Sequence, residues 1–186
     1  MEKTRCAWCL SSDLYKEYHD LEWGKPVHDD ATIFEFLVLE TFQAGLSWIT
    51  ILNKRENFRT AFDAFDYQKI AKYSDAKIHS LLNDSGIVRN KLKIYATVSN
   101  AIAFMEIQKE FGSFSNYIWG FVNGKPIDNK PKTLKEVAAT TLISDILSKD
   151  LKKRGFKFVG STVIYAHMQA TGMVNDHVMD CWVRGE

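Results

Sequence analysis

Cys6 and His19 stand near the start of the 186-residue chain, and His177 and Cys181 stand near its end. Thiolate sulfur and imidazole nitrogen are the ligands of closed tetrahedral zinc sites, which hold structure and leave no position open for a reacting water. On a helix, the four-residue spacing would put His177 and Cys181 on one face. Such a site would clasp the two ends of one domain and leave the chemistry to other residues. Taken singly, each of the four reads as well as an ordinary buried cysteine or a histidine satisfied by a local hydrogen bond. The His19-Asp20 and His28-Asp29 pairs also resemble the histidine–aspartate pairs of metal-dependent phosphohydrolases. That chemistry favours oxygen-rich ligands around an open site, however, and the two cysteines argue for a closed one.

A second group is aromatic and acidic. Trp8, Tyr15, Tyr18 and Trp23 fall in polar, non-periodic surroundings, and Trp48 follows Gly45-Leu46-Ser47. Such rings are core residues or walls for stacking against a flat ring. Glu40 sits in Leu37-Val38-Leu39-Glu40-Thr41-Phe42. A carboxylate buried there needs a partner or a raised pKa, and either a salt bridge or a functional role would supply the reason. The third group is basic. Gly86-Ile87-Val88-Arg89-Asn90-Lys91 joins two expected helices. A hairpin of that kind presents backbone N–H groups and a helix N-terminus to an anion such as a DNA phosphate, with Arg89, Lys91 and Lys93 adding charge. The same segment also reads as a plain C-cap and solvated turn. Lys149, Lys152, Lys153, Arg154 and Lys157 form a further cluster, either a solvated face or a phosphate contact. The hairpin alone would equally suit a non-enzymatic helical DNA-binding module, which has no need of an aromatic pocket around Glu40.

The elements that must position these residues read as helices. Apolar spacing predicts one over 30–44, carrying Ile33, Phe34, Leu37, Val38 and Thr41 and capped by Asp29 or Asp30. Residues 46–63 continue the helical pattern, and Asp66 caps a short helix ending near Tyr73. Ser74-Asp75 opens a helix with Ile78, Leu81 and Leu82 that stops near Gly86. A long helix runs from about Arg89 to Phe111 with Ile94, Val98, Ala101, Ile102 and Met105 as its apolar stripe. Residues 123–132 are a loop. Helices resume over 133–137, 141–153 and from Ser161 to Gly172, and the last opens near Asn175-Asp176. The expectation is a single all-α domain over 1–186, with eight or more helices.

Composition narrows the class. The chain is 46% hydrophobic with a formal net charge of +1, so one well-packed core is expected and there is no global basic signature. No stretch reaches membrane-spanning length and the start has no apolar signal segment, which points to a cytoplasmic chain with reduced thiols, Cys9 among them.

Several motifs in order then carry a resemblance. They are Cys6, Tyr15-x-x-Tyr18-His19-Asp20-x-Glu22-Trp23-Gly24, Leu39-Glu40-x-x-Gln43-Ala44-Gly45-Leu46-Ser47-Trp48, residues 151–160 from Leu151 to Gly160, and Asn175-Asp176-His177-x-x-x-Cys181. The chain resembles the DNA-3-methyladenine glycosylase I family, within the helix-hairpin-helix glycosylases. The resemblance implies an all-α glycosylase fold with that hairpin at Gly86, Arg89 and Lys91. It implies structural Zn2+ on Cys6, His19, His177 and Cys181, with Glu40 hydrogen-bonding the damaged adenine and Trp48 stacking on it. Tyr18 and Trp23 become pocket walls with Trp8 and Tyr15 beside them. Gly45 and Leu46 become the turn that wedges into DNA, and Lys153 joins the backbone contacts. The implied activity is excision of 3-methyladenine from double-stranded DNA by a monomer, leaving an abasic site and free base without a lyase step. In keeping with the family, no carboxylate follows Lys91 through Thr97.

Overall fold

A computed structural model describes residues 3–185. Ten α-helices are found among them: α1 (Asp13–Leu21), α2 (Asp30–Gln43), α3 (Trp48–Leu52), α4 (Arg55–Ala61), α5 (Tyr67–Ile70), α6 (Asp75–Asn83), α7 (Lys91–Phe111), α8 (Phe114–Gly120), α9 (Leu142–Lys153) and α10 (Ser161–Ala170). Short polar side chains start most of them. Ser12 accepts from Tyr15 N–H, Asp29 from Thr32, Ser74 from Lys77, Asn90 from Lys93 and Ser113 from Asn116. Thr141 and Ser144 cap α9 reciprocally.

α2 is the central element. From Ile33 to Phe42 every residue except Glu35 is buried, which is the pattern of a helix packed on all sides. It lies against α3, α7, α8 and α10. Phenylalanines fill the space around it, with Phe104 and Phe114 stacked at 4.0 Å and Phe42 against Phe58 at 4.8 Å. Buried Arg55 on α4 bonds Glu22 and Glu35, tying the end of α1 to α2.

The sequence expectations need several corrections. The 46–63 segment is two helices, broken at Asn53-Lys54. Residues 13–21 form a helix where no periodicity was read. The buried face of α7 is Ile94, Thr97, Ala101, Phe104 and Ile107 together with Lys93 and Asn100, and Ile102 is 46% exposed. Residues 134–136 make only a 3-10 turn. No helix opens near Asn175 either. Instead β1 (Ile127–Asp128), inside the expected loop, pairs in parallel with β2 (Val174–Asn175) in the register Ile127 to Val174 and Asp128 to Asn175. His177 and Cys181 therefore lie in irregular chain closed by a Cys181 N–H bond to Val178 O, and not on a helix face.

Two glycines let this C-terminal segment dock. A Cβ on Gly172 would sit 2.3 Å from the Lys25 carbonyl carbon, and one on Gly24 would sit 2.8 Å from His177 Nε2. Both have positive φ, which glycine adopts without steric cost.

Candidate functional site

The clasp comes together as the residue types suggest. Cys6, His19, His177 and Cys181 are all buried, and their ligand atoms lie within 4.8 Å of one another. Cys181 Sγ is 3.5 Å from His19 Nε2 and 3.5 Å from His177 Nδ1, while Cys6 Sγ is 3.7 Å from His177 Nδ1. A tetrahedral ion with Zn–S near 2.3 Å and Zn–N near 2.0–2.1 Å spaces its sulfur and nitrogen ligands about 3.5 Å apart. The other ring nitrogens are held by acceptors: His19 Nδ1 by Asp20 at 2.8 Å, His177 Nε2 by the Trp23 carbonyl at 3.1 Å. Asp20 in turn receives Arg5 and Trp182. This is the second layer that orients metal-binding imidazoles. Burial pushes the Cys6 thiol up to about 12 and His177 down to about 4, and a bound cation would reverse the thiol's preference for its proton. The donor set thus fits a metal ion. His28 stacks on Trp119 instead, and joins no metal-binding group among the described residues.

Beside the clasp lies a cavity of about 250 Å³. Trp8, Tyr15, Tyr18, Trp23 and Trp48 all line it, with Glu40. The rings form a continuous wall: Trp8 to Tyr15 at 4.9 Å, Trp8 to Trp23 at 5.0 Å and Tyr18 to Trp48 at 5.4 Å. The wall runs into the clasp, since Trp23 meets His177 edge-on at 4.7 Å and Trp8 meets His19 at 5.3 Å.

Glu40 is 4% exposed, and its Oε2 has no hydrogen-bond partner among the described residues. Burial alone raises its pKa from 4.5 to about 8. Burial and then the Glu40 charge raise Tyr18 well above the ordinary phenol value. An orphaned carboxylate oxygen in a cavity walled by aromatic rings is an acceptor waiting for a flat ligand that carries a donor or a positive charge.

The remaining expected residues divide. Gly45 takes φ +85° and Leu46 is 42% exposed at the tip of the turn after α2. That turn is braced from α7, because buried Lys93 donates to Phe42 O at 2.9 Å and Ala44 O at 2.7 Å. Lys93 is therefore a cap for α2 and not, as expected, a charge in the hairpin. Gly86, Arg89 and Lys91 lie in the α6–α7 hairpin, with Arg89 and Lys91 exposed. The hairpin's N–H groups are not all open, since Gly86 N–H donates to Asp84 at 2.8 Å. Its carbonyls are pinned by Lys54, whose Nζ reaches Ser85 O and Gly86 O. Lys153 is set apart: its neighbour Arg154 pairs with Glu110 near the C-terminal end of α7, and the 21 residues of that helix span about 30 Å.

Sequence reasoning missed Gln43, Gln169 and Asp176 as cavity residues. Gln43 and Asp176 stood inside quoted motifs. For Gln169 no sequence signal was available, since only the fold brings it to the cavity.

Comparison with known proteins decides the family. The model of the methyladenine glycosylase family matches residues 8–184. The chain belongs to the methyladenine glycosylase family. It is 49% identical over 178 residues to the DNA-3-methyladenine glycosylase of Haemophilus influenzae, covering 96% of both chains. To DNA-3-methyladenine glycosylase 1 of Escherichia coli it is 48% identical, covering 95% of both. The solved 3-methyladenine DNA glycosylase I of Staphylococcus aureus superposes with a TM-score of 0.94 at 36% identity, covering 98% of this chain and 97% of that one. A variant glycosylase I solved in complex with 3-methyladenine gives the same TM-score at 35% identity, covering 98% of each chain.

Proposed function

We propose that this chain excises 3-methyladenine from alkylated DNA by hydrolysing the N-glycosidic bond, with the aromatic cavity as the base pocket and Glu40 as its reading group. One observation carries the assignment of the pocket: the unpartnered Glu40 Oε2 within a cavity lined by five aromatic residues. Methylation at N3 makes the nucleotide's base cationic, so the leaving group departs neutral and the bond is labile. The protein's residues then have to select, hold and stabilise more than to activate. The damaged nucleotide leaves the stack, with Leu46 at the Gly45 turn filling the gap. Trp48 and Tyr18 flank the ring. Glu40 accepts from the exocyclic amine, and its carboxylate favours a cation over neutral adenine. Water attacks C1′, and an abasic site remains.

The enzyme acts without a lyase step. The one buried lysine near the hairpin, Lys93, has its ammonium committed to two carbonyls and does not line the cavity. The α6–α7 hairpin, with Arg89, Lys91 and the bracing Lys54, grips the DNA backbone without reading sequence. Cys6, His19, His177 and Cys181 hold a structural zinc ion, which the 3.5–3.7 Å ligand spacings support. No helix among the described residues is long and apolar enough to cross a membrane.

The test uses methylated duplex DNA. The purified protein should release 3-methyladenine, identified by mass, and leave alkali-labile sites without cutting the strand. The pocket assignment fails if Glu40→Gln and Trp48→Ala both release base at the rate of the unmodified protein.

A further inference from the structure

We propose that Gln169 is a second base-reading residue, held by Asp176 as a fixed acceptor that faces an electron-poor purine from the α10 wall. The proposal rests on the base-pocket reading above and adds a contact to it.

Asp176 is 2% exposed and lines the cavity. Asn129 Nδ2 donates to its Oδ1 at 2.7 Å. Tyr165 OH and Gln169 Nε2 donate to its Oδ2 at 2.7 and 2.8 Å. Three neutral donors converge on the carboxylate, so it acts purely as an acceptor. That fixes the Gln169 amide. Its NH2 must face Asp176, and its carbonyl oxygen must face the other way, because reversing the amide would set two acceptors against each other. The backbone is fixed as well, since Gln169 O accepts from Gly24 N–H at 3.0 Å, next to the wall residue Trp23.

The oxygen turned away from Asp176 is left unengaged. Gln169 Oε1 accepts no hydrogen bond among the described residues, and it is not one of the buried atoms left without a partner. It is therefore accessible, and the space that Gln169 lines is the base cavity. The pocket thus presents two acceptors from different helices, Glu40 on α2 and Gln169 on α10. An unmodified adenine offers ring nitrogens with lone pairs along its edges. An acceptor placed against such an edge repels it, whereas an N-methylated, positively charged ring turns C–H groups toward it and is attracted. Selection then works partly by rejecting the neutral base, which Glu40 alone does less well.

The experiment is a set of titrations followed by tryptophan fluorescence, on the unmodified protein and on Gln169→Met, with 3,9-dimethyladeninium, which keeps the positive charge of the damaged nucleotide, and with free 3-methyladenine and free adenine as neutral bases. Methionine matches glutamine in length and removes the oxygen. We expect 3,9-dimethyladeninium to bind about tenfold more weakly while adenine binds as well or better, so the preference collapses. Thermal melting and bound-metal analysis of the variant separate a disturbed fold from a lost contact. An unchanged preference in a well-folded Gln169→Met variant overturns the proposal. Failure of the unmodified protein to bind 3-methyladenine at all would instead overturn the pocket assignment beneath it.

Discussion

Glu40 is a carboxyl group that folding penalises and that the proposed base pocket uses. Its pKa is about 8 in the folded protein against 4.5 for the exposed group. The sign follows from linkage. A raised carboxyl pKa means the fold prefers the protonated form. No penalty exists below pH 4.5, and it grows between pH 4.5 and 8 and is constant above. At pH 7 it amounts to about 3 kcal/mol. Glu40→Gln should therefore stabilise the protein by about 4 kcal/mol at pH 8 and by almost nothing at pH 4, as read from urea midpoints. Equal effects at both pH values would contradict the burial seen here. Activity moves the opposite way. If the carboxylate is the form that reads the cationic base, kcat/KM should climb with pH, reach half its maximum near pH 8 and level off above that, and Glu40→Gln should show a low, flat profile. Trp48 belongs to the same site, since its Nε1 is also buried without a partner.

Among the elements, the junction of α2 with α7 joins the cavity to the exposed Gly45-Leu46 turn. Glu40 lies on the last turn of α2, and the Gly45-Leu46 turn leaves directly from its end. Lys93, from the first turn of α7, caps the carbonyls there and adds a cation to the helix C-terminus. Lys93→Met should cost about 2 kcal/mol in a urea titration. It should also slow excision from duplex DNA while leaving the affinity for free 3-methyladenine close to normal, because Lys93 does not line the cavity. A parallel loss of both would show that the turn and the pocket are one unit. Arg89→Ala and Lys91→Ala should each weaken duplex binding regardless of sequence and lower the salt slope by about one; unchanged slopes would place the DNA elsewhere. The sequence shows these elements unevenly, for physical reasons. α2 is legible because eight of its fourteen residues are apolar and Asp29 marks its start. α1 is not, because only Tyr18 and His19 of its nine residues are buried and its two leucines, Leu14 and Leu21, are exposed. The α7 stripe is displaced because Lys93, Thr97 and Asn100 are buried against hydrogen-bond partners, which hydropathy does not register. β2 depends on pairing with a strand 47 residues earlier, so no local signal announces it. Glu40 and the aromatic residues stand out by type in unusual surroundings, whereas Gln169 and Asp176 become site residues only through tertiary proximity.

At the scale of the whole molecule, the clasp decides whether the pocket has two walls or one. Residues 6–23 supply Trp8, Tyr15, Tyr18 and Trp23, and their fixed points to the rest of the chain are few. Arg55 holds Glu22 from α4, the Gly24 N–H bonds Gln169 O, and Cys6 and His19 meet His177 and Cys181. The last connection spans almost the full chain, so closing it removes a large loop entropy once. A metal that binds the folded state but not the unfolded chain adds its binding free energy to stability. Removing it should cost several kcal/mol, which for a chain of this size lowers Tm by about 10 °C. It should also loosen Trp8 and Trp23 before the α2–α7 core unfolds, because that core has its own phenylalanine packing. Stripping the protein with a strong chelator, or changing Cys181→Ser, should therefore weaken 3-methyladenine binding at temperatures where far-ultraviolet circular dichroism still reports full helix content. Restoring zinc should recover binding in the stripped protein but not in the variant. If stripped protein melted at the same temperature and bound the base equally well, the clasp would have no part in holding the pocket, and the walls would be fixed by the other ties of the segment, such as Arg55 to Glu22, the Gly24 bond, Trp182 to Asp20 and the packing of Tyr18 on Trp48.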